Sequence, residues 1–246
     1  MQSVDRALQV LEILAATGVA GVTEIAGELG VHKSTASRLV AVLESRGLVE
    51  QLADRGKYRL GFGIVRLAGA LTVQRDLAHE SRRACEALAA DVGETVNVAI
   101  LDRDRVVNLS QVRGPSALTL DWVGQSTPPH ATSSGKVLLA FSSRPVRDVL
   151  GDALRRYTRH TVTDLAALER ELATVLERGW GATVEEYELG LNALAAPVRD
   201  HAGAVVAAIS VSGPSYRLAP EQFGQVAERL LEAAEQVSRR LGHLTR

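Results

Sequence analysis

Apolar residues recur at helical spacing from the start of the chain. Val4, Ala7, Leu8, Leu11, Leu14 and Ala15 share one face, with Ser3 placed as a cap and Gly18 following. A second, short helix is expected over residues 23–29, with Ile25, Ala26 and Leu29 inward and Gly30 as its breaker. A third begins near Lys33, turns Ala36, Leu39, Val40 and Leu43 inward, and stops at Gly47, a residue suited to the left-handed position just past a helix end. Residues 49–52 and 57–60 then read as two short strands of a hairpin. Three helices with a tight turn between the last two, followed by a hairpin, predict a winged helix-turn-helix.

Beyond it, a helical pattern over residues 62–76 (Val65, Leu67, Ala68, Leu71) carries too little charge for a free linker, and another helix covers 77–91. Strand-like runs follow at 95–101, 106–112 and 118–123, the first two separated by a turn at 102–105. After Pro128 and Pro129, helices are expected at 133–141, 145–157 and 164–178, the last stopped by Gly179. Strands return at 181–185, 191–199 and 204–212, and Pro220 opens a final helix with Phe223, Val226, Leu230, Ala234, Val237 and Leu241 inward. The fold class is therefore α+β. The expected domains are 1–61 (winged helix-turn-helix), 62–76 (linker helix) and 77–246 (an α/β domain on a six-stranded sheet), with no internal repeat.

Composition narrows the function. Apolar residues make up 46% of the 246, yet aromatics only 4%, so the core is aliphatic and offers no platform for stacking single-stranded bases. One cysteine, Cys85, excludes an intramolecular disulfide and a thiolate zinc cluster, and its place in an apolar-periodic helix predicts a buried thiol. Asp5 and Glu12 interrupt the first apolar run, which excludes a signal peptide, and no run approaches the ~20 apolar residues of a membrane span. A cytoplasmic protein with no membrane partner is expected.

The net charge of -1 says little, but its distribution says more. Residues 31–60 carry Lys33, Arg38, Arg46, Arg55, Lys57 and Arg59 against Glu44, Glu50 and Asp54, whereas the first thirty are acidic. Lys33, Ser34, Ser37 and Arg38 fall together opposite the third helix's core stripe. This predicts double-stranded DNA as partner, with Lys33, Ser34, Thr35, Ser37 and Arg38 entering the major groove. Arg55 and Lys57 would reach the backbone or minor groove from the hairpin. His32, at the entry to the helix, could contact phosphate or cap, and the sequence leaves both open.

In the second half, residues 132–136 place hydroxyls at a helix start, where free backbone N–H groups and the helix dipole favour an anion such as a ligand carboxylate. Capping by Thr132 or Ser133 needs no ligand. It does not explain Ser210 and Ser212, which put two hydroxyls on one face of an otherwise aliphatic strand. A phosphate-binding loop is excluded because His130 and Val137 stand where Gly and Ser or Thr are needed. Ser133 and Lys136 match the nucleophile spacing of serine β-lactamases, but no Ser-Asp-Asn or Lys-Thr-Gly partner follows. Glu185 and Glu186, neighbours at a strand end, would point to opposite faces and cannot form a catalytic pair; they are expected to shape the loop to Gly190. The six histidines show no ligand spacing. Neither catalysis nor a metal or other cofactor is expected. The rival reading is a small-molecule-binding or hydrolytic protein whose N-terminal module serves only to dimerise.

Several segments resemble the isocitrate lyase regulator (IclR) family along essentially the whole chain. They are Val4-Asp5-Arg6-Ala7-Leu8 with Leu11, Thr23-Glu24-Ile25-Ala26, Lys33-Ser34-Thr35, the run from His130 to Lys136, Glu185-Glu186 with Gly190, Ala195-Ala196-Pro197-Val198, and Ile209 to Pro214. The resemblance implies a transcription regulator with a GAF-like effector domain. It also implies a homodimer formed through the DNA-binding region and linker, and often a dimer of dimers on a palindromic operator. By motif position it places a small-molecule effector against Ser116 and Thr119, Ser133 and Ser134, Thr183, Leu191 and Ala193, and Ser210 and Ser212. Thr183 and Ala193 depart from members that carry an acidic residue and a cysteine there.

Overall fold

Residues 2–52, 56–68, 72–116 and 122–243 are described by the computed structural model, which divides into two units, Met1–Arg75 and Asp76–Arg246. The first unit runs α1 (Gln2–Thr17), β1 (Ala20–Gly21), α2 (Val22–Glu28), α3 (Lys33–Ser45), β2 (Val49–Gln51), β3 (Lys57–Leu60) and α4 (Phe62–Ala68). Its core is aliphatic, with Val10, Leu14, Ile25, Ala36, Val40, Leu43 and Val49 all buried; the stripe expected on α1 is corrected, since Val10 is turned inward while Val4, Leu8 and Ala15 are exposed. Ser3 lies inside α1 rather than capping it. Gly47, at φ +68°, closes α3: its N–H reaches the Glu44 carbonyl at 2.8 Å and the Leu48 N–H reaches Leu43 at 2.9 Å. This doubly bonded stop satisfies two end carbonyls and needs a residue without a Cβ. Two-residue β1, too short to show alternation, pairs with β3 and widens the hairpin to a three-stranded sheet ordered β1-β3-β2.

Helix α5 (Thr72–Val92) runs across the division between the units and begins five residues before the helix expected over 77–91; of the expected 62–76 helix, residues 62–68 belong to α4 and residues 72–76 to α5. There follow β4 (Thr95–Asp102), β5 (Arg105–Val112), β6 (Ser126–Thr127), α6 (Ser133–Ala140), α7 (Val146–Leu150), α8 (Leu165–Arg178), β7 (Gly181–Val184), β8 (Leu191–Arg199), β9 (Val205–Pro214) and α9 (Phe223–Arg240). Short 3₁₀ turns at Pro129–Ala131 and Pro220–Gln222 precede α6 and α9. The strands form one antiparallel sheet ordered β6-β5-β4-β9-β8-β7.

Side-chain alternation sorts the two faces of this sheet. Val96, Val98, Leu194, Val198, Ile209 and Val211 point to one face and pack with Leu88 of α5 and Leu230 and Val237 of α9. Burying each such side chain contributes ~1.5–3 kcal/mol, which makes this face the unit's main core. The opposite face is lined by small residues, Ala99, Ala195 and Ala208, against Val137 and Leu138 of α6 and Val175 of α8. Small side chains there let α6 approach the sheet closely, and a cavity lies beside that approach.

Three further expectations are corrected. Of the expected strand 118–123, residues 118–121 lie outside the described residues, while Trp122 and Val123 belong to a turn; the sixth strand is instead Ser126–Thr127. The helix expected over 145–157 stops at Leu150, because Gly151 turns to φ +72°. Glu185 and Glu186 lie beyond β7, with Glu185 at φ +53°, so strand alternation does not govern them. Among the described residues no helix is long and apolar enough to cross a membrane, and no cluster could hold a metal ion.

Candidate functional site

In the first unit, α3 presents Lys33, Ser34, Ser37 and Arg38 to solvent, with Thr35 half-buried, while Ala36, Val40 and Leu43 hold the helix to the core. His32 caps α3: its Nδ1 accepts the Ser34 N–H at 3.4 Å and stands 3.0 Å from the Ser34 hydroxyl. Accepting at Nδ1 leaves the other ring nitrogen of this exposed side chain to carry the proton. Arg38 folds back along the helix, its Nε donating to the Ser34 carbonyl at 3.3 Å. Neither Lys33, Arg38 nor Lys57 has an acidic partner among the described residues. Arg59, by contrast, is neutralised by Glu50 across the hairpin register. Arg55 lies outside the described residues.

In the second unit, a cavity of about 60 Å³ opens between the small-residue face of the sheet and the start of α6. Its floor follows from register. Asn97 pairs with Ser210, and Thr183, Ala193 and Ser212 line up across β7, β8 and β9, so the polar residues alternate inward on adjacent strands. Leu191, Asn108 and Thr127 complete it, and Ser133, Ser134, Trp122 and Tyr187 lie over it. Seven of the nine residues expected around an effector are thus brought together. Ser116 is not: its turn folds back on the end of α5, its N–H bonded to Gly93 and its carbonyl accepting from Arg217, so it lines a separate groove. Thr119 lies outside the described residues.

The start of α6 is open. Thr132 occupies the cap position, but its hydroxyl donates to the Pro128 carbonyl at 2.9 Å instead of accepting from the helix. The first turn's N–H groups therefore lack a side-chain cap, and Ser133 and Ser134 of that turn line the cavity. Asn97 adds a second unmet demand. Its Nδ2 reaches the Ser212 hydroxyl at 3.5 Å, while its buried Oδ1 has no partner among the described residues. Leaving such an acceptor unsatisfied costs ~1–3 kcal/mol.

Sequence reasoning missed Asn97, Asn108, Thr127, Trp122 and Tyr187. The signal was present: asparagines on two strongly aliphatic strands, and a chain with two tryptophans and four tyrosines. Trp122, Tyr187 and Tyr157 form a line of rings at centroid distances of 6.1 and 5.3 Å, ending on His130 at 5.9 Å. His130 donates Nε2–H to the Arg155 carbonyl at 2.9 Å. Burial, with the nearby Lys136 and Arg105 charges, holds its imidazole below the ordinary histidine range. Cys85 is buried, and burial pushes its thiol up to about 12, so it carries no reactive thiolate at neutral pH.

Lys136 cannot serve as a base for Ser133. It is buried and its Nζ lies 2.5 Å from Glu171 Oε2 and 2.6 Å from Glu186 Oε1, in a group that lines a different cavity. This removes the structural basis for the hydrolase reading.

Two family models match the chain: one described as the IclR helix-turn-helix domain over residues 3–53, the other as bacterial transcriptional regulator IclR C-terminal over residues 69–239. The HTH-type transcriptional repressor AllR of Salmonella typhimurium is 34% identical over 245 residues, covering 98% of this chain and 90% of that protein. The HTH-type transcriptional regulator XynR of Escherichia coli is 32% identical over 248 residues, covering 99% and 98%. Among solved structures, an IclR homolog complexed with 4-hydroxybenzoate from Microbacterium hydrocarbonoxydans matches with a TM-score of 0.86 at 30% identity, covering 97% of this chain and 98% of that one. The Thermotoga maritima IclR matches at 0.77 and 28%, covering 99% and 100%.

Proposed function

The chain belongs to the IclR family of bacterial transcriptional regulators, and from that membership we propose a repressor that reads its operator with α3 and changes its DNA affinity when a small hydroxycarboxylate fills the cavity under α6. Lys33, Ser34, Thr35, Ser37 and Arg38 enter the major groove, Lys57 and Arg55 reach the backbone from the wing, and the ring N–H of His32 approaches a phosphate. Exposed Val4 and Leu8 on α1 and Phe62, Val65 and Leu67 on α4 favour a homodimer formed through this unit. A homodimer suits a palindromic operator, which a dimer of dimers would occupy in pairs. The relatives are named regulators, which favours this reading over a hydrolytic or purely dimerising one.

The observation that carries the effector half is the uncapped start of α6 beside the orphaned Asn97 acceptor. The N–H groups take a carboxylate and Asn97 takes a donor, which defines a carboxylate bearing a hydroxyl. The cavity of about 60 Å³ has room for roughly four to six waters, which fits a short aliphatic acid. The solved relative that holds 4-hydroxybenzoate, a larger hydroxyl-bearing carboxylate, fits the same chemistry.

Fluorescence anisotropy on a labelled duplex from upstream of the chain's own gene, across a potassium chloride series, tests both halves. Specific binding with a steep salt slope is expected. Lactate and glycerate should shift the affinity while propionate, which lacks the hydroxyl, should not. Salt-independent binding, or indifference to all three acids, refutes the corresponding half.

A further inference from the structure

Lys136 is 1% exposed, and it sits in the same turn of α6 as Ser133 and Ser134. Its ammonium bridges Glu171 on α8, whose side chain is half in solvent, and Glu186, which is buried. Glu186 immediately precedes Tyr187, the residue that overhangs the cavity and rests between Trp122 and Tyr157. The backbone of this loop is pinned from the other side. The Thr158 hydroxyl donates to the Glu185 carbonyl at 2.6 Å and the Thr161 hydroxyl to the Glu186 carbonyl at 2.7 Å. The ion pair is therefore the strut between the first turn of α6 and the loop that carries Tyr187.

Holding these elements together does not by itself require charge. Replacing a buried ion pair by apolar side chains of similar volume is often neutral or stabilising, because desolvation offsets the attraction. Apolar contact, however, is non-directional, whereas an ammonium held at 2.5 and 2.6 Å fixes a distance and an angle. What the pair adds over packing is position, and what it positions is the width of the cavity.

We propose that Lys136 and Glu186 are positioning residues of the effector site, their ion pair setting Tyr187 against the first turn of α6 and so fixing the cavity's dimensions. The proposal rests on the reading of that cavity as the effector site, but its test does not need an effector. Both tryptophans lie in the second unit, and Trp180→Phe leaves Trp122, beside Tyr187, as the single tryptophan, excited apart from the tyrosines at the red edge of the absorption. In that background, acrylamide quenching of Trp122 and the thermal midpoint are compared among the parent, Lys136→Met, and the apolar double variant Lys136→Met with Glu186→Leu.

Lys136→Met lowers the midpoint by stranding the Glu186 carboxylate. The double variant recovers most of the midpoint, yet its Trp122 quenching constant stays about twofold above the parent because the Tyr187 loop opens locally. Parent-like quenching in the double variant overturns the proposal, since the pair would then be packing alone. If the double variant does not fold, Glu186→Gln carries the test. It keeps the shape and a hydrogen bond from the Lys136 ammonium to an amide oxygen but removes the ion pair, and raised quenching supports the proposal while a parent value overturns it. Indifference of the wild type to lactate and glycerate counts against the effector reading and leaves the quenching result standing.

Discussion

Gly135 stands at the third position of α6, where alanine is ordinarily the better residue. Gly→Ala in a helix interior gains ~0.5–1 kcal/mol from backbone entropy. Here the added Cβ would lie 2.2 Å from the Pro129 carbonyl oxygen, 2.4 Å from its Cα and 2.6 Å from its carbonyl carbon. All three atoms are backbone, held in the 3₁₀ turn that leads into the helix, so no side chain can swing aside. Relief requires α6 to withdraw from the turn by roughly 1 Å, and overpacking of that kind costs ~1–3 kcal/mol. The net expectation is a loss of up to about 2.5 kcal/mol. Gly224 in α9 is the control, because nothing lies within 4 Å of its virtual Cβ and Gly224→Ala should be neutral or stabilising. Urea unfolding followed by tryptophan fluorescence reports on the second unit alone, since Trp122 and Trp180 both belong to it. Ser133 and Ser134 withdraw with the helix, so Gly135→Ala should also weaken the lactate effect on DNA affinity. A Gly135→Ala protein more stable than the parent would refute the packing argument, since a gain is what propensity alone predicts.

Arg38→Ala should reduce affinity for the specific duplex more than for random duplex, by ~1–3 kcal/mol of discrimination in paired anisotropy titrations; equal losses would reassign Arg38 to a phosphate. Ser210→Ala with Ser212→Ala should leave ligand-free DNA binding unchanged and weaken lactate by ~0.5–1.5 kcal/mol per lost hydrogen bond, read from the concentration that half-shifts the anisotropy. An unchanged half-point would remove both serines from the effector site. His130 titrates in the fold below its unfolded value of 6.5, so the unfolded chain takes the proton first and stability is lost as pH falls below 6.5. The urea midpoint of His130→Gln should therefore fall less steeply than the wild type's over that range; parallel curves would refute the assignment.

The sequence made most of the fold legible because the core is built from runs whose periodicity is unbroken. Leu39, Val40 and Leu43 on α3, and Val96, Val98, Ile209 and Val211 on the central strands, declare both element and face. Legibility failed where structure is set by one backbone angle or by pairing at a distance. Gly151 cuts α7 short with a positive φ that a helical pattern does not reveal. Strand β1 exists only because β3 lies beside it. In the cavity, Ser133, Ser134, Ser210 and Ser212 stood out as hydroxyls in apolar surroundings. Asn97 and Asn108 were as anomalous on their aliphatic strands, but only the register of β4, β5 and β9 shows that they face one cavity. The Lys136 and Glu186 pair spans 50 residues of chain, and no local spacing could announce it.

The central pairing of the sheet has a consequence for synthesis. β4 and β9 sit side by side, with Thr95 opposite Ser212 and Ala99 opposite Ala208, partners more than a hundred residues apart. During translation the β4–β5 hairpin leaves the ribosome with the aliphatic edge of β4 unpaired, and at 5–20 residues per second it waits roughly 5–20 s for β9. An exposed edge of this kind is a template for pairing with other nascent chains. The first unit, closed by contacts between near neighbours, has no such wait and can fold while the second is still being made. A premature stop before residue 205 would therefore release a folded DNA-reading head attached to a sheet that cannot close.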